Sequence, residues 1–401
     1  MSSQPLRILH VFRAPLGGLF RHVVDVARGQ VARGHAVGIF CDSSTGGTRA
    51  DDTLEALRPG LELGVTRVPM RRAVHPLDAS ALLSLTRVYR RMKPNVLHGH
   101  GSKGGAFART IVSPALDREV IRAYTPHGGS FNYNPGTMAH RVFMTAERMF
   151  AKRTDLFLFE SEYVASRFRS FVGETDKLVS IVHNGISESE FEPVERASDA
   201  FDLLYIGELR AAKGIETLLD AVALIRRQGG QRLTLLVVGS GPSEAALHAY
   251  ARAAGIWDSV AFVPAQPIRQ ALARGRLMII PSRAESLPYV ILEAAAAAQP
   301  MVSTNVGGIR EIFGPMADQL IPPDDPALLA ERITAKLAQS DAERADEAAR
   351  LSGFVHAGFS MDQMVAGGLA GYRAAFARRG IVPGSAGTSS FPVKSSVKVS
   401  R

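Results

Sequence analysis

Short apolar runs closed by glycine, proline or a small polar residue alternate with stretches of helical periodicity along almost the whole chain. A run that is apolar at consecutive positions suits a strand covered on both faces, and its alternation with helical segments suits a parallel sheet wound on both sides. Strands are therefore predicted at residues 7–12, 36–40, 95–97, 119–124, 156–159 and 178–181, and again at 202–206, 233–238, 260–262, 277–280, 301–303 and 319–321. Two such groups predict an α/β protein of two doubly wound, Rossmann-like domains.

The groups are separated by residues 188–200, a charged, proline-containing segment poor in apolar side chains that reads as a linker. The expected domains are thus 1–190 and 191–361. An alanine-rich helical stretch follows at 362–379, and residues 380–401 are Gly/Ser-rich and basic, a composition expected to stay disordered. The length of 401 residues agrees with two cores better than with one.

Composition narrows the class. With 46% hydrophobic and 21% charged residues the chain falls in the globular range. Cys41 is the single cysteine, which excludes an internal disulfide and an all-cysteine metal site. The first residues lack a basic leader followed by an apolar run, and no apolar stretch reaches the ~20 residues of a membrane-spanning helix, so a cytoplasmic location is expected. The net charge of +9 is concentrated in residues 1–190, which hold 25 Lys/Arg against 17 Asp/Glu. Arg67, Arg71 and Arg72 form one basic cluster, and Arg87, Arg90, Arg91 and Lys93 another beside Leu82, Leu83, Leu85, Val88 and Met92. Either an anionic lipid surface or plain solvent suits these clusters. Nucleic acid is not expected, because interleaved aromatics and a nucleic-acid module are missing.

The strongest local chemistry is RAESLPYVILE, from Arg283 to Glu293, directly after a predicted strand. Pro288 and Ser286 predict a helix start there, with Ser286 available as its cap. Glu285 then sits in the loop and Glu293 inside the helix, roughly 7.5 Å along the axis from Pro288 at 1.5 Å per residue. Free amides of Ser286, Leu287 and Tyr289 at that helix end suit hydroxyls or a diphosphate. A second turn, YIGELRAAKG, places Arg210 and Lys213 where they can neutralise a leaving diphosphate. Gly17-Gly18, after the first strand, lets backbone approach a phosphate, although this loop does not match the GxGxxG fingerprint and the chain contains no Walker A lysine motif.

Histidines mark two further strand ends, in HGHG at residues 98–101 and YTPHGG at 124–129. His127 suits a hydrogen bond to a sugar hydroxyl, or equally a structural bond to backbone. Zinc is not expected, since no acidic or cysteine ligand accompanies these histidines at metal spacing. The chain also contains no Asp-x-Asp triplet to hold a divalent ion on a nucleotide. Asn184-Gly185 reads as a turn, a hinge candidate beside the linker.

In this order, the Gly17-Gly18 loop, HGHGSKGG, YTPHGG, IVHNGI, GELRAAKG and the two glutamates around SLPYVIL resemble glycosyltransferase family four, of GT-B fold, over most of residues 5–375. The resemblance implies a nucleotide-diphosphate sugar, expected to be a UDP-sugar, in the C-terminal domain. Glu293 would hold the ribose, and Glu285, Ser286, Leu287, Tyr289 and Val290 would line the sugar side. Gly207, Gly239 and Val263 complete the donor-binding set, Arg210 and Lys213 contact the diphosphate, and Gly17 and Gly18 close over it. His127 reaches the sugar from the N-terminal domain and joins Glu285, Lys213 and Arg210 as the catalytic set. The implied reaction retains anomeric configuration without metal or other cofactor, toward a glycan or lipid-linked acceptor at the inner membrane face. The final helix is expected to cross back to the first domain. At one point the sequence departs from many relatives: Glu208 stands where they have arginine, and Arg210 follows two residues later. A nucleotide-sugar epimerase or hydrolase, and a non-catalytic nucleotide-sugar-binding module, are the alternatives.

Overall fold

The computed structural model describes residues 4–113, 116–229 and 232–383; the tail expected to be disordered lies outside the described residues from 384 onward. Seven strands form the first sheet: β1 (Arg7–Val11), β2 (Ala36–Asp42), β3 (Gly64–Val68), β4 (Val96–His100), β5 (Ile121–Thr125), β6 (Leu156–Phe159) and β7 (Leu178–Ile181). Five form the second: β8 (Phe201–Ile206), β9 (Leu235–Val238), β10 (Val260–Val263), β11 (Gly275–Ile280) and β12 (Met301–Ser303). All neighbours pair in parallel, in the orders β3-β2-β1-β4-β5-β6-β7 and β10-β9-β8-β11-β12. The strand order reverses between β1 and β4 in one sheet and between β8 and β11 in the other. Such switch points leave a crevice beyond the carboxyl ends of the strands.

The central strands β1, β2, β4, β5, β6 and β9 are buried almost throughout; β6 and β9 are wholly apolar, whereas β1, β4 and β5 also bury His10, His98, His100 and Arg122. β3 was not foreseen. Its sequence GVTRV sets polar Thr66 and Arg67 side by side between two valines on a half-buried edge, so it carries no long apolar run. Residues 319–321, predicted as a strand, supply only an isolated bridge from Ile321 to Thr304; Gln319 closes a 3-10 turn and Pro322 follows at once. β4 reaches His100, so both histidines of HGHG lie within a strand instead of after it.

Close packing fixes that strand. A Cβ on Gly104 would lie 2.3 Å from the carbonyl oxygen of Val11, so only glycine lets the helix Gly101–Thr110 press onto β1. The last helix, Met361–Arg379, lays Val365, Leu369 and Tyr372 against Leu6, Ile8, Val96 and Ile121 of the first sheet. Tyr372 Oη lies 2.7 Å from His98 Nδ1. Residue 188 onward forms a 3-10 turn, Glu188–Phe191, before an irregular stretch leads to β8.

Candidate active site

Both loops at the second switch point carry predicted residues. After β8, Gly207 donates its N–H to Val238 O at 3.0 Å, and after β9 Gly239 donates to Val263 O at 2.9 Å. Gly239 has φ +151, and a Cβ there would stand 1.9 Å from Gly207 O. Gly207, Gly239 and Val263 thus form one step of bare backbone across the ends of β8, β9 and β10.

Lys213 Nζ donates to Glu285 Oε1 at 2.6 Å, which joins the loop after β8 to the loop after β11. Ser282 Oγ donates to the same oxygen at 2.7 Å. The pair is largely buried, with 15% and 8% of the two side chains exposed. The turn that presents Lys213 depends on Gly214, whose φ is +62 and whose added Cβ would meet Pro281 O at 2.0 Å. Arg210 has a different carboxylate beside it: its Nε lies 3.1 Å from Glu208 Oε2, on a half-exposed side chain.

The helix following Glu285 is Tyr289–Ala296, capped by Pro288 with no side-chain bond. Ser286 is therefore not the cap expected from sequence; its carbonyl instead accepts from Gly308 N at 2.6 Å. Leu287 is buried and its carbonyl accepts from Asn184 Nδ2 at 2.7 Å. Val290 is partly buried. Tyr289 lies beneath the Gly17-Gly18 turn, where a Cβ on Gly18 would approach its ring to 3.3 Å, and Gly17 opens the first helix, Gly17–Ala32, with φ +61. These contacts bring the predicted glycine loop over the predicted sugar-side helix.

Glu293 meets a partner that local sequence did not reveal. Arg21, in the second turn of the first helix, bonds Glu293 and sits 2.6 Å from Glu190 and 3.3 Å from Asp25. Its guanidinium also stacks 4.6 Å over the Tyr289 ring. Burial opposes the charge of Arg21, but Glu293 and Glu190 hold its pKa above the ordinary value. Glu293 is raised by burial despite Arg21, because Glu190 and Asp25 compete for the same cation. A carboxylate that shares one arginine with two others retains acceptor capacity for a hydroxyl.

Across the cleft, His127 has φ 51 and stands after β5. Its Nε2 lies 3.1 Å from His100 Nδ1, and its ring packs edge-on to His22 with centroids 4.6 Å apart. Burial keeps these imidazoles neutral: His22 and His10 are lowered to about 4, and His98, His100 and His127 fall well below the usual value. Backbone N–H of Gly128 bonds Glu160 Oε1 at 2.7 Å, and burial pushes that carboxyl up to about 7. The sequence marked His98, His100 and His127 but not His22, whose only local signal is its place one turn beyond Gly17-Gly18.

Comparison with known proteins bears on the family and the fold. Residues 16–190 match the family model described as Glycosyltransferase Family 4, and residues 187–352 match Glycosyl transferases group 1. A Bacillus subtilis protein named as a teichuronic acid biosynthesis glycosyltransferase, TuaC, is 26% identical over 65% of this chain and 65% of its own length. The D-inositol 3-phosphate glycosyltransferase of Segniliparus rotundus is 28% identical over 60% of this chain and 57% of its own. The chain thus spans less than two thirds of these relatives. Among solved structures, sucrose-phosphate synthase from Thermosynechococcus elongatus superposes with TM-score 0.74 at 18% identity, covering 93% of this chain and 100% of that one. Anabaena Alr3699/HepE in complex with UDP-glucose gives TM-score 0.73 at 18% identity, over 91% and 99%. Two adjoining family matches and a shared architecture of facing parallel sheets place the chain in glycosyltransferase family four, with the GT-B fold.

Proposed function

We propose that this protein transfers a hexosyl group from a UDP-sugar to a glycan or lipid-linked acceptor, with retention of configuration and without a metal ion. The observation that carries the reading is the Lys213–Glu285 pair bridging the two loops of a switch point. Transfer breaks the bond from the anomeric carbon to the diphosphate, and the electron pair leaves on phosphate oxygen. Lys213 is the cation nearest that event, and donor binding would exchange its carboxylate partner for the diphosphate. Glu285, released, accepts from sugar hydroxyls. Arg210 joins only by turning away from Glu208, and Glu293 takes ribose hydroxyls beside Arg21. Removing one fixed donor from developing charge of this kind typically costs about 2.7–4 kcal/mol. The helix Tyr289–Ala296 adds free amides at its start. No side chain is assigned as nucleophile.

The donor is tested by thermal unfolding in EDTA with UDP, GDP, ADP and their glucose conjugates. A ligand at 100 times its Kd adds about 2.7 kcal/mol to the folded state. UDP and UDP-glucose are expected to raise the midpoint and ADP to leave it; a chain unmoved by every nucleotide contradicts the reading.

A membrane-facing acceptor is part of the proposal. Arg67 is committed internally, to Asp51 and to the carbonyls of Asp42 and Thr45, but Arg87, Arg90, Arg91 and Lys93 are exposed. The helix Met138–Ala151 exposes Met138, Val142 and Met149 at 72%, 58% and 66%, with Arg141 beside them. Apolar side chains flanked by arginine suit an anionic interface. Wild type is expected to float with anionic vesicles and not with neutral ones, and Met138→Asp combined with Val142→Asp to stay behind. Equal flotation of the double variant removes this helix from the proposal.

A further inference from the structure

Three imidazoles converge where the first helix meets the ends of β4 and β5. One ring nitrogen from each of His22, His100 and His127 lies within 4.8 Å of the other two. The ring centroids are 4.6 Å apart for His22 and His127, 5.4 Å for His100 and His127, and 5.7 Å for His22 and His100. Ligand nitrogens on a tetrahedral ion bound at about 2.0–2.1 Å stand roughly 3.3 Å from one another. His100 Nδ1 is already 3.1 Å from His127 Nε2.

The hydrogen bonds behind the rings select the nitrogens that face inward. Asn184 donates Nδ2–H to Leu287 O at 2.7 Å, so its Oδ1 accepts from His22 Nδ1 at 3.1 Å. His22 thereby keeps a lone pair on Nε2. Gln30 Oε1 accepts from His10 Nε2 at 2.9 Å, which leaves His10 Nδ1 to accept from His100 Nε2, also at 2.9 Å. The lone pair of His100 is then on Nδ1, toward His127. Acceptors that hold the outer N–H, as here for His22 and His100, are what orient histidines on metal ions. The deeper trio of His10, His98 and His100 is less suited, since both nitrogens of His98 are taken, by Tyr372 Oη at 2.7 Å and Thr125 Oγ1 at 2.9 Å. His127 is also only partly buried, so its cluster opens toward solvent.

We propose that His22, His100 and His127 bind a divalent transition ion of the zinc class, oriented from behind by Asn184, His10 and Gln30. Three neutral nitrogens with one open position are a ligand set that zinc accepts. An ion held there ties up His127 and inhibits transfer; that consequence alone rests on the glycosyl-transfer reading.

The test is titration of the full chain, stripped with EDTA, with Co²⁺, followed by the visible absorption of tetrahedral cobalt. One equivalent is expected to saturate the band. His22→Asn and His100→Asn are expected to abolish it, and Asn184→Ala to weaken cobalt binding by about 10–100-fold. His98→Asn, which removes the deeper trio and leaves the proposed one, is expected to retain it. Circular dichroism separates loss of fold from loss of ligand, and the two ligand variants stand in for each other. The proposal is overturned if wild type gives no band, or if His98→Asn loses the band while His22→Asn keeps it. Cobalt binding needs no donor, so failure of donor turnover leaves this result intact.

Discussion

Replacing Glu147 by alanine is expected to lower the unfolding free energy of the N-terminal domain by about 3–5 kcal/mol, the range for removing one partner of a buried ion pair. Glu147 accepts from Arg109 Nη2 at 2.9 Å, Tyr124 Oη at 3.0 Å and Ser130 Oγ at 2.8 Å. Arg109 is fully buried, with its Nε on Gly105 O at 2.9 Å and its guanidinium 3.7 Å over the Tyr124 ring. Without the carboxylate, a cation is stranded where water does not reach.

The consequence extends to the cleft. Tyr124 is the penultimate residue of β5, which leads to His127, and Ser130 lies in the turn that follows, so Glu147 holds both sides of the TPHGG loop. Urea unfolding followed by circular dichroism measures the loss, analysed for the N-terminal transition because two domains need not melt together. Glu147→Gln, which keeps acceptor capacity but removes the charge, is expected to lose less. Joint replacement by Arg109→Met and Glu147→Leu is expected to recover most of the deficit, since buried pairs exchange for apolar packing at little net cost. An alanine variant within about 1 kcal/mol of wild type would show that the pair is not the support described.

The fold was legible because a strand buried on both faces is apolar at most consecutive positions. β1, β6 and β12 could be read at once, and two doubly wound domains followed from their alternation with helices, while the GT-B fold was implied by the family resemblance of the motifs. What failed was weakly patterned or context-dependent. β3 is half-buried throughout and places two polar residues between its valines, and Ile321 cannot extend a sheet against a three-residue neighbour that ends just before Thr304. In the site, residues linked through one loop were legible: Glu285 and Glu293 share a segment, and Lys213 follows a glycine turn. Arg21 was not, since its partner Glu293 is 272 positions away and an arginine four residues into a helix is ordinarily solvated. The convergence of His22, His100 and His127 was hidden for the same reason: His22 comes after β1, His100 ends β4 and His127 follows β5, and only the sheet order brings β1, β4 and β5 side by side.

Lys213→Ala is expected to reduce donor turnover by about 10²–10³-fold in kcat/KM, the effect of deleting one preorganised charge at a developing anion. The structure makes the variant informative beyond loss of attraction, because among the described residues Glu285 would retain only the hydroxyl of Ser282 and present an uncompensated carboxylate to an incoming diphosphate. Two effects are thereby separable. Glu285→Gln in the Lys213→Ala background removes the repulsion but not the missing cation, so it should recover UDP affinity while kcat stays low. Lys213→Arg keeps a charge but replaces a compact ammonium with a planar fork on a longer stem, within a turn that Gly214 holds against Pro281; partial activity is expected. Hydrolysis of the donor without acceptor supplies the rate, and UDP-induced thermal shift supplies the affinity. Because charge on the leaving diphosphate grows toward the transition state, kcat should fall further than UDP binding weakens. If Lys213→Ala weakens UDP binding and leaves kcat intact, Lys213 serves uniform binding alone; if it alters neither, the diphosphate lies elsewhere and the switch-point reading fails with it.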